Sequence, residues 1–408
     1  MKNYLTKWLK SQINRTITSI AFFPAITALS FLLLSWVMLE FDYSETGKSI
    51  KAHWQWLRLK DADTARNIIS TVASGIISLT VFSFSMVMIV LNQAASQLSN
   101  RTLDKLIGNR FQQIVLGFYI GTIVYALFLL STIRDIDSGV HVPALSTYLL
   151  IFFTVLDIFL FIYFLHYITQ SVKYETIIDR IYKQTKEVLT KDCPLSTSTK
   201  FINIQSDGFT INAPVSGVFQ GFERKSLVKI CEQENIIISF LYPNGTYVLE
   251  NTPLLVIHIN SSISPELEES ISVTLDIQPG EVIDKNYYYG FRQLMEVAIK
   301  ALSPGINDPG TAVLSLHALT DLLAYRAQHF PETNFEDVKG VVRIYTKEKS
   351  FGEIFSSCIL PIWDYGKNDR LIQQALDQLL NQLEIFNQDS VLQKLQESVR
   401  SAIAARTI

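Results

Sequence analysis

One carboxylate in this chain lies where a carboxylate is costly. Asp157 falls in the middle of YLLIFFTVLDIFLFIYFLHY, an apolar run long enough to cross a bilayer. A charge at that depth costs about 3 kcal/mol or more, so such residues usually face a partner or a water-filled path. Two readings follow: an ion or proton site facing a polar helix, or a hydrogen-bonded acid that holds a helix bundle together.

A suitable polar helix is ISTVASGIISLTVFSFSMVMIVL. Thr71, Ser78, Ser85, Asn92 and Ser99 recur every seven residues, with Ser74 and Ser96 beside them on the same face. Lipid offers their hydroxyls no partner, so this seam should look at other helices or at water. It can pack a bundle or line a pore, and a homo-oligomer with this helix around its axis favours the pore. A polar connector follows, NQAASQLSNRTLDKLIGNRFQQ, carrying Arg101, Lys105 and Arg110.

The third candidate is the loop LSPGINDPGT, with Ser303, Pro304, Gly305, Asn307, Asp308 and Pro309. Two prolines, two glycines and a helix N-terminus could form an anion-binding nest. The alternative is a rigid corner whose Asn and Asp cap the next helix. No GxSxG, Walker, GxGxxG or HExxH sequence is present. The three cysteines are scattered, without a CxxC or Cys/His cluster, so neither a zinc site nor a disulfide framework is expected. A net charge of −3 gives no whole-chain case for nucleic acid.

These residues need elements to position them. Four apolar stretches are long enough to span a bilayer, at about 17–39, 68–91, 114–131 and 146–168. The basic leader (Lys2, Lys7, Lys10, Arg15) precedes an apolar run without a small-residue cleavage site, which reads as a retained first span rather than a signal peptide. Gly117 and Gly121 form a GxxxG in the third span. Eleven Lys and Arg in the leader, the second connector and the segment after span four oppose six in the other loops. That balance leans towards both termini on the cytoplasmic side. His53, Trp54 and Trp56 in the first loop suit the headgroup level.

Beyond residue 170 the composition is that of an ordinary soluble protein. The helix of span four is expected to run on through SVKYETIIDRIYKQTKEVL to a linker at 193–200. A β-rich module (201–280) follows, a small barrel or sandwich with one inserted helix. Within it, Pro243-Asn244-Gly245 reads as a hairpin turn between two β-branched runs. Residues 281–408 read as mainly helical, with VVRIYT a lone strand candidate and two amphipathic helices, about Arg370–Phe386 and Ser390–Ala404, closing the chain.

Three stretches carry a family likeness: Phe82–Leu130, FLHYITQSVKYETII after span four, and ALSPGINDPGTA at Ala301–Ala312. By these the chain resembles the domain-of-unknown-function 2254 family of predicted bacterial inner-membrane proteins. The likeness covers nearly the whole chain and implies a topology, not an activity.

The sequence therefore predicts an integral membrane α-helical domain of four transmembrane helices (1–170), a connecting helix and linker (171–200), and an α+β soluble domain. The expected function is an oligomeric, non-enzymatic inner-membrane protein conducting inorganic ions, without cofactor or metal. Span two would line its pore and Asp157 would tune it. The alternative is a non-conducting scaffold whose soluble domain binds a partner or ligand.

Overall fold

The computed structural model describes residues 22–53, 59, 61–97, 110–133, 142–171, 173–197, 208–258 and 263–406. The readings placed on Trp54, Trp56, Ser99, Arg101 and Lys105 lie outside the described residues. The chain divides into two compact units, Met1–Lys173 and Tyr174–Ile408.

The first unit holds four helices of membrane length: α1 (Phe22–Tyr43), α3 (Ala62–Gln97), α4 (Arg110–Thr132) and α5 (Ala144–Ser171), with a short α2 (Glu45–His53) between the first two. The shortest has 22 residues, about 33 Å at 1.5 Å per residue, against a hydrocarbon core of about 30 Å. Each helix is apolar nearly all round, so packing is decided by small residues and shape. Gly117 and Gly121 of α4 illustrate this. A Cβ at Gly117 would come 2.9 Å from Thr27 Oγ1, and one at Gly121 would come 2.7 Å from the Phe31 ring. The two glycines thus let α1 lie directly against α4. Ala65, Ile69, Tyr125, Leu129 and Leu150 fill the interior.

In the second unit α5 is not continued as expected. It stops at Ser171, and a separate helix, α6 (Tyr174–Asp192), begins three residues later. Next come β1 (Phe209–Asn212), β2 (Gly217–Phe222), α7 (Arg224–Gln233), β3 (Ile237–Phe240), β4 (Thr246–Val248), β5 (Pro253–His258), α8 (Pro265–Ser272) and β6 (Leu275–Gln278). The remainder is α9 (Tyr287–Leu302), α10 (Pro309–Gln328), β7 (Asn334–Glu336), β8 (Val342–Tyr345), α11 (Phe351–Gly366), α12 (Arg370–Leu383) and α13 (Ser390–Ala404).

The strands form a five-stranded sheet, β1-β5-β3-β8-β7, and a three-stranded sheet, β4-β2-β6. Two expectations change here. The Pro243–Gly245 turn does not close a hairpin between its flanking strands: β3 pairs with β5 and β4 pairs with β2. Gly245, at φ 84°, donates its N–H to the Phe219 carbonyl at 2.8 Å, so the turn hands the chain from one sheet to the other. The VVRIYT strand is not alone either, because β8 pairs in parallel with β3, setting Ile344 beside Ile238. Phe219, Phe240 and Phe222 stack between the sheets, at centroid separations of 5.3 and 4.8 Å.

The helical part packs α9 against α6, α10 and α11, and α12 against α10 and α13. Gly290 of α9 seats directly on Thr185 of α6, leaving no room for a side chain. The expected linker at 193–200 is anchored at its start. Cys193 is fully buried, and Leu195 exchanges two backbone hydrogen bonds with Phe330, at 3.1 and 2.8 Å.

Candidate functional site

The seam of α3 does not face its own bundle. The buried side of the helix is Ala62, Ala65, Ile69, Ala73, Ile76 and Ser83. Thr71, Ser74, Ser78, Ser85 and Asn92 lie on the far side and are exposed, among Ile77, Val81, Phe84, Met88 and Ile89. Ser96 is within α3. The hydroxyls are not orphaned by this outward position. Ser78 Oγ donates to the Ser74 carbonyl at 2.9 Å, and Ser85 Oγ to the Val81 carbonyl at 3.0 Å. Such i−4 bonds satisfy a serine at any exposed helix face, so the premise that lipid leaves these hydroxyls unpaired is corrected.

Asp157 accordingly does not face the seam. It is fully buried in α5, whereas the seam is exposed. Thr122 of α4 stands beside its carboxylate, Tyr119 lies one turn earlier on α4 within electrostatic reach, and Ser83 of α3 stands next to Tyr119. Asp157 Oδ1 and Oδ2, Thr122 Oγ1 and Tyr119 Oη are all buried, and Asp157 lies against the Thr122 hydroxyl, as Tyr119 does against that of Ser83, without well-formed hydrogen-bond geometry. Ser83 Oγ donates back to the Leu79 carbonyl at 2.8 Å. A cavity of about 130 Å³ lies beside Ser83 and Tyr119; its walls are mostly apolar (Phe84, Val87, Met88, Val115, Leu116 and Phe164), with Gln112 and Gln113 at the first turn of α4, and Asp157 and Thr122 are not part of its lining. Arg110, the one connector cation described, is exposed at the start of α4.

A second buried acid was not anticipated. Asp42, at the end of α1, is fully buried, and Lys51 of α2 donates to its Oδ1 at 2.7 Å. Its Oδ2 accepts the Ser146 N–H at 2.8 Å in the first turn of α5, where free N–H groups gather. Tyr125 Oη donates to the Ser146 carbonyl at 3.2 Å. One carboxylate thus ties together α1, α2 and α5.

In the soluble unit the loop at 303–309 forms a corner. Asn307 takes the left-handed conformation at φ 49°. Asp308 caps α10, its Oδ1 accepting the Thr311 N–H at 3.1 Å and its Oδ2 the Thr311 hydroxyl at 2.6 Å. The N-terminus that could have received an anion therefore already holds this carboxylate. Ser303 Oγ donates to the Lys300 carbonyl at 2.7 Å, while Pro304 and Gly305 are exposed at the tip.

A cavity of about 380 Å³ opens elsewhere in this unit, a size within the range of small-molecule sites. Phe222 and Phe335 supply walls, Arg224 and Lys285 cations, and Asp192 and Glu348 carboxylates. Arg224 is paired with Glu332 at 2.7 Å and Lys285 with Asp276 at 3.0 Å. Burial pushes the Glu348 carboxyl up to about 7; Arg326 opposes that shift and Asp192 adds to it. Burial likewise raises Asp192. Arg326 itself is buried and spends its donors on uncharged oxygens: Tyr287 Oη at 3.3 Å and the carbonyls of His329 and Lys349 at 3.2 and 3.0 Å.

Residues 17–382 match the family described as predicted membrane proteins of domain of unknown function 2254, with the four long apolar helices falling inside the match or at its edge. The chain belongs to this family. Uncharacterized proteins of Mycobacterium bovis and Mycobacterium tuberculosis are similar to it, each 25% identical over 334 residues. The similarity covers 78% of this chain and 63% of each relative, so the family member described here spans less than two thirds of their length. No solved structure matches.

In this family member, sequence reasoning named Asp157 and the seam but joined them on one side of α3. The heptad count located the polar face without saying which way it turned. Ser83 was the missed signal, since it stands outside the seven-residue series and one heptad after the buried Ile76. Asp42 was missed because it closes an apolar run, where an acid reads as the end of a span.

Proposed function

We propose that this membrane protein assembles as a homo-oligomer around α3 and conducts inorganic ions, without catalysing a reaction. The observation that carries this reading is the outward position of Thr71, Ser74, Ser78, Ser85 and Asn92 on a helix otherwise apolar on that side. Copies arranged with this face inward would give a pore lined by small hydroxyls, which serve both close packing and hydration. The topology that accompanies this reading places the protein in the bacterial inner membrane with both termini cytoplasmic, the soluble unit serving as the regulatory domain. Ion flux into liposomes containing the purified full chain tests it. Flux altered by S78L or S85L is the expected result; no conductance at any voltage, pH or tension overturns it.

A second reading has its own support. The back-bonded hydroxyls of Ser78 and Ser85 need no water, so the same face can bury dry against another helix. With the 380 Å³ cavity of the soluble unit, that favours a non-conducting scaffold that binds a ligand. Unchanged flux in S78L and S85L with wild-type assembly supports this alternative.

A further inference from the structure

The cavity of about 380 Å³ in the soluble unit carries its charges unevenly. Two of its cations, Arg224 and Lys285, have side chains more than half exposed and already engaged, with Glu332 at 2.7 Å and Asp276 at 3.0 Å. Lys191 is exposed as well. The acids Asp192 and Glu348 are the reverse case. Both are half-buried, they lie within electrostatic reach of each other, and neither forms an ion pair among the described residues.

Their neighbours are uncharged or held elsewhere. Tyr287 of α9 and Arg326 of α10 stand near Glu348, and the hydrogen bonds of Arg326 go to the Tyr287 hydroxyl and two backbone carbonyls. Lys349 is within electrostatic reach of Glu348, with its ammonium 4.9 Å from the centre of the Tyr288 ring. Asp192 has the exposed Lys191 in reach, and a solvated lysine offsets a neighbouring charge only weakly. The remaining walls suit a carbon skeleton: Phe222 and Phe335 meet edge to face, centroids 5.6 Å apart, and make an apolar corner. Ligand classes meet this lining differently. An anion would find Arg224 and Lys285 engaged and two carboxylates opposing it. An uncharged ligand would strip water from both acids without replacing its hydrogen bonds. An ammonium ion brings donors and the opposite charge together, and aromatic walls favour such cations.

We infer that the cavity lined by Asp192, Glu348, Phe222 and Phe335 binds a small organic amine in its ammonium form, with the two carboxylates as its charge partners. This rests on the reading in which the soluble unit binds a ligand, and it holds whether or not the membrane unit conducts. A cation selects ionised carboxylates, and burial has pushed Glu348 up to about 7. The fraction of chains with Glu348 ionised falls about tenfold from pH 8 to pH 6, so amine affinity should fall about tenfold with it.

The test is isothermal titration calorimetry of the full chain in phosphatidylcholine nanodiscs, with empty nanodiscs as the blank. The amine probes are 1,4-diaminobutane and phenethylamine, and the anionic probes are succinate and ATP. A saturable isotherm with at least one amine, and none with the anions, is the expected result. E348Q and D192N should each weaken amine binding at least tenfold, and E348Q should also flatten its pH dependence. An unchanged unfolding midpoint without ligand verifies that each variant folds. Should one fail to fold, the other and the wild-type pH profile carry the test. Amine binding undiminished in E348Q and D192N overturns the site, as does a failure of both amines to bind. Succinate or ATP binding in place of the amines overturns the ligand class and leaves the ligand-binding reading standing, whereas no binding by any probe counts against both.

Discussion

Asp42 and Asp157 are the same side chain, equally buried in the same membrane unit, with different neighbours. Around Asp42 every contact offsets charge: Lys51 on one oxygen, the Ser146 N–H on the other. Around Asp157 the described residues offer the Thr122 hydroxyl but no opposite charge. The first arrangement is what structure requires, because a buried ion is tolerable only when paired and hydrogen-bonded. The second rests on a single neutral hydroxyl, so the two acids make different demands on the helices around them.

The contrast can be broken most directly at Lys51. K51M leaves Asp42 as an unpaired buried charge and should cost about 3–5 kcal/mol, the range for breaking a buried pair on one side. A loss below about 1 kcal/mol in chemical or thermal unfolding of the full chain would mean the pair is not what fixes Asp42. A second comparison lies outside the membrane, at Glu348. Its folded-state pKa is raised to about 7 from an ordinary 4.5, so the stability it contributes is fully present below pH 4.5 and lost as pH rises through 7. E348Q should flatten that decline, on the order of 1–3 kcal/mol across the window; an identical pH slope in wild type and E348Q would refute it. Y125F removes only the hydrogen bond to the Ser146 carbonyl beside Asp42 and should cost about 1 kcal/mol, measured in the same unfolding experiment.

The four spans and the helical character of the last third were legible in the sequence because long apolar runs and 3.6-residue periodicity are local signals. Helix α11 passed unread because Pro361 stands inside it, and proline ordinarily ends a helix. Strand pairing is not local, and β8 reads as isolated until β3, about a hundred residues earlier, is known to be its neighbour. The acids divide along the same line. Asp157 announces itself by its apolar surroundings, whereas the partners that give Asp42 its role come from α2 and α5, distant in sequence. The direction of the seam depended on which residues of α3 meet α4 and α5, and a heptad count carries no such information.

The parallel pairing of β3 with β8 has a consequence for how the protein is made. Ile238 sits mid-sheet only once Ile344 lies beside it. A ribosome adding 5–20 residues per second needs roughly 5–20 s to supply the intervening stretch. During that interval the edge of β3, with Ile238 and Phe240, stays open to any other extended chain nearby. A transcript truncated before Val342 would never close it. Such a product would still carry all four membrane helices and would display a permanently adhesive strand, so early stop codons here should yield self-associating membrane protein rather than a smaller soluble remnant.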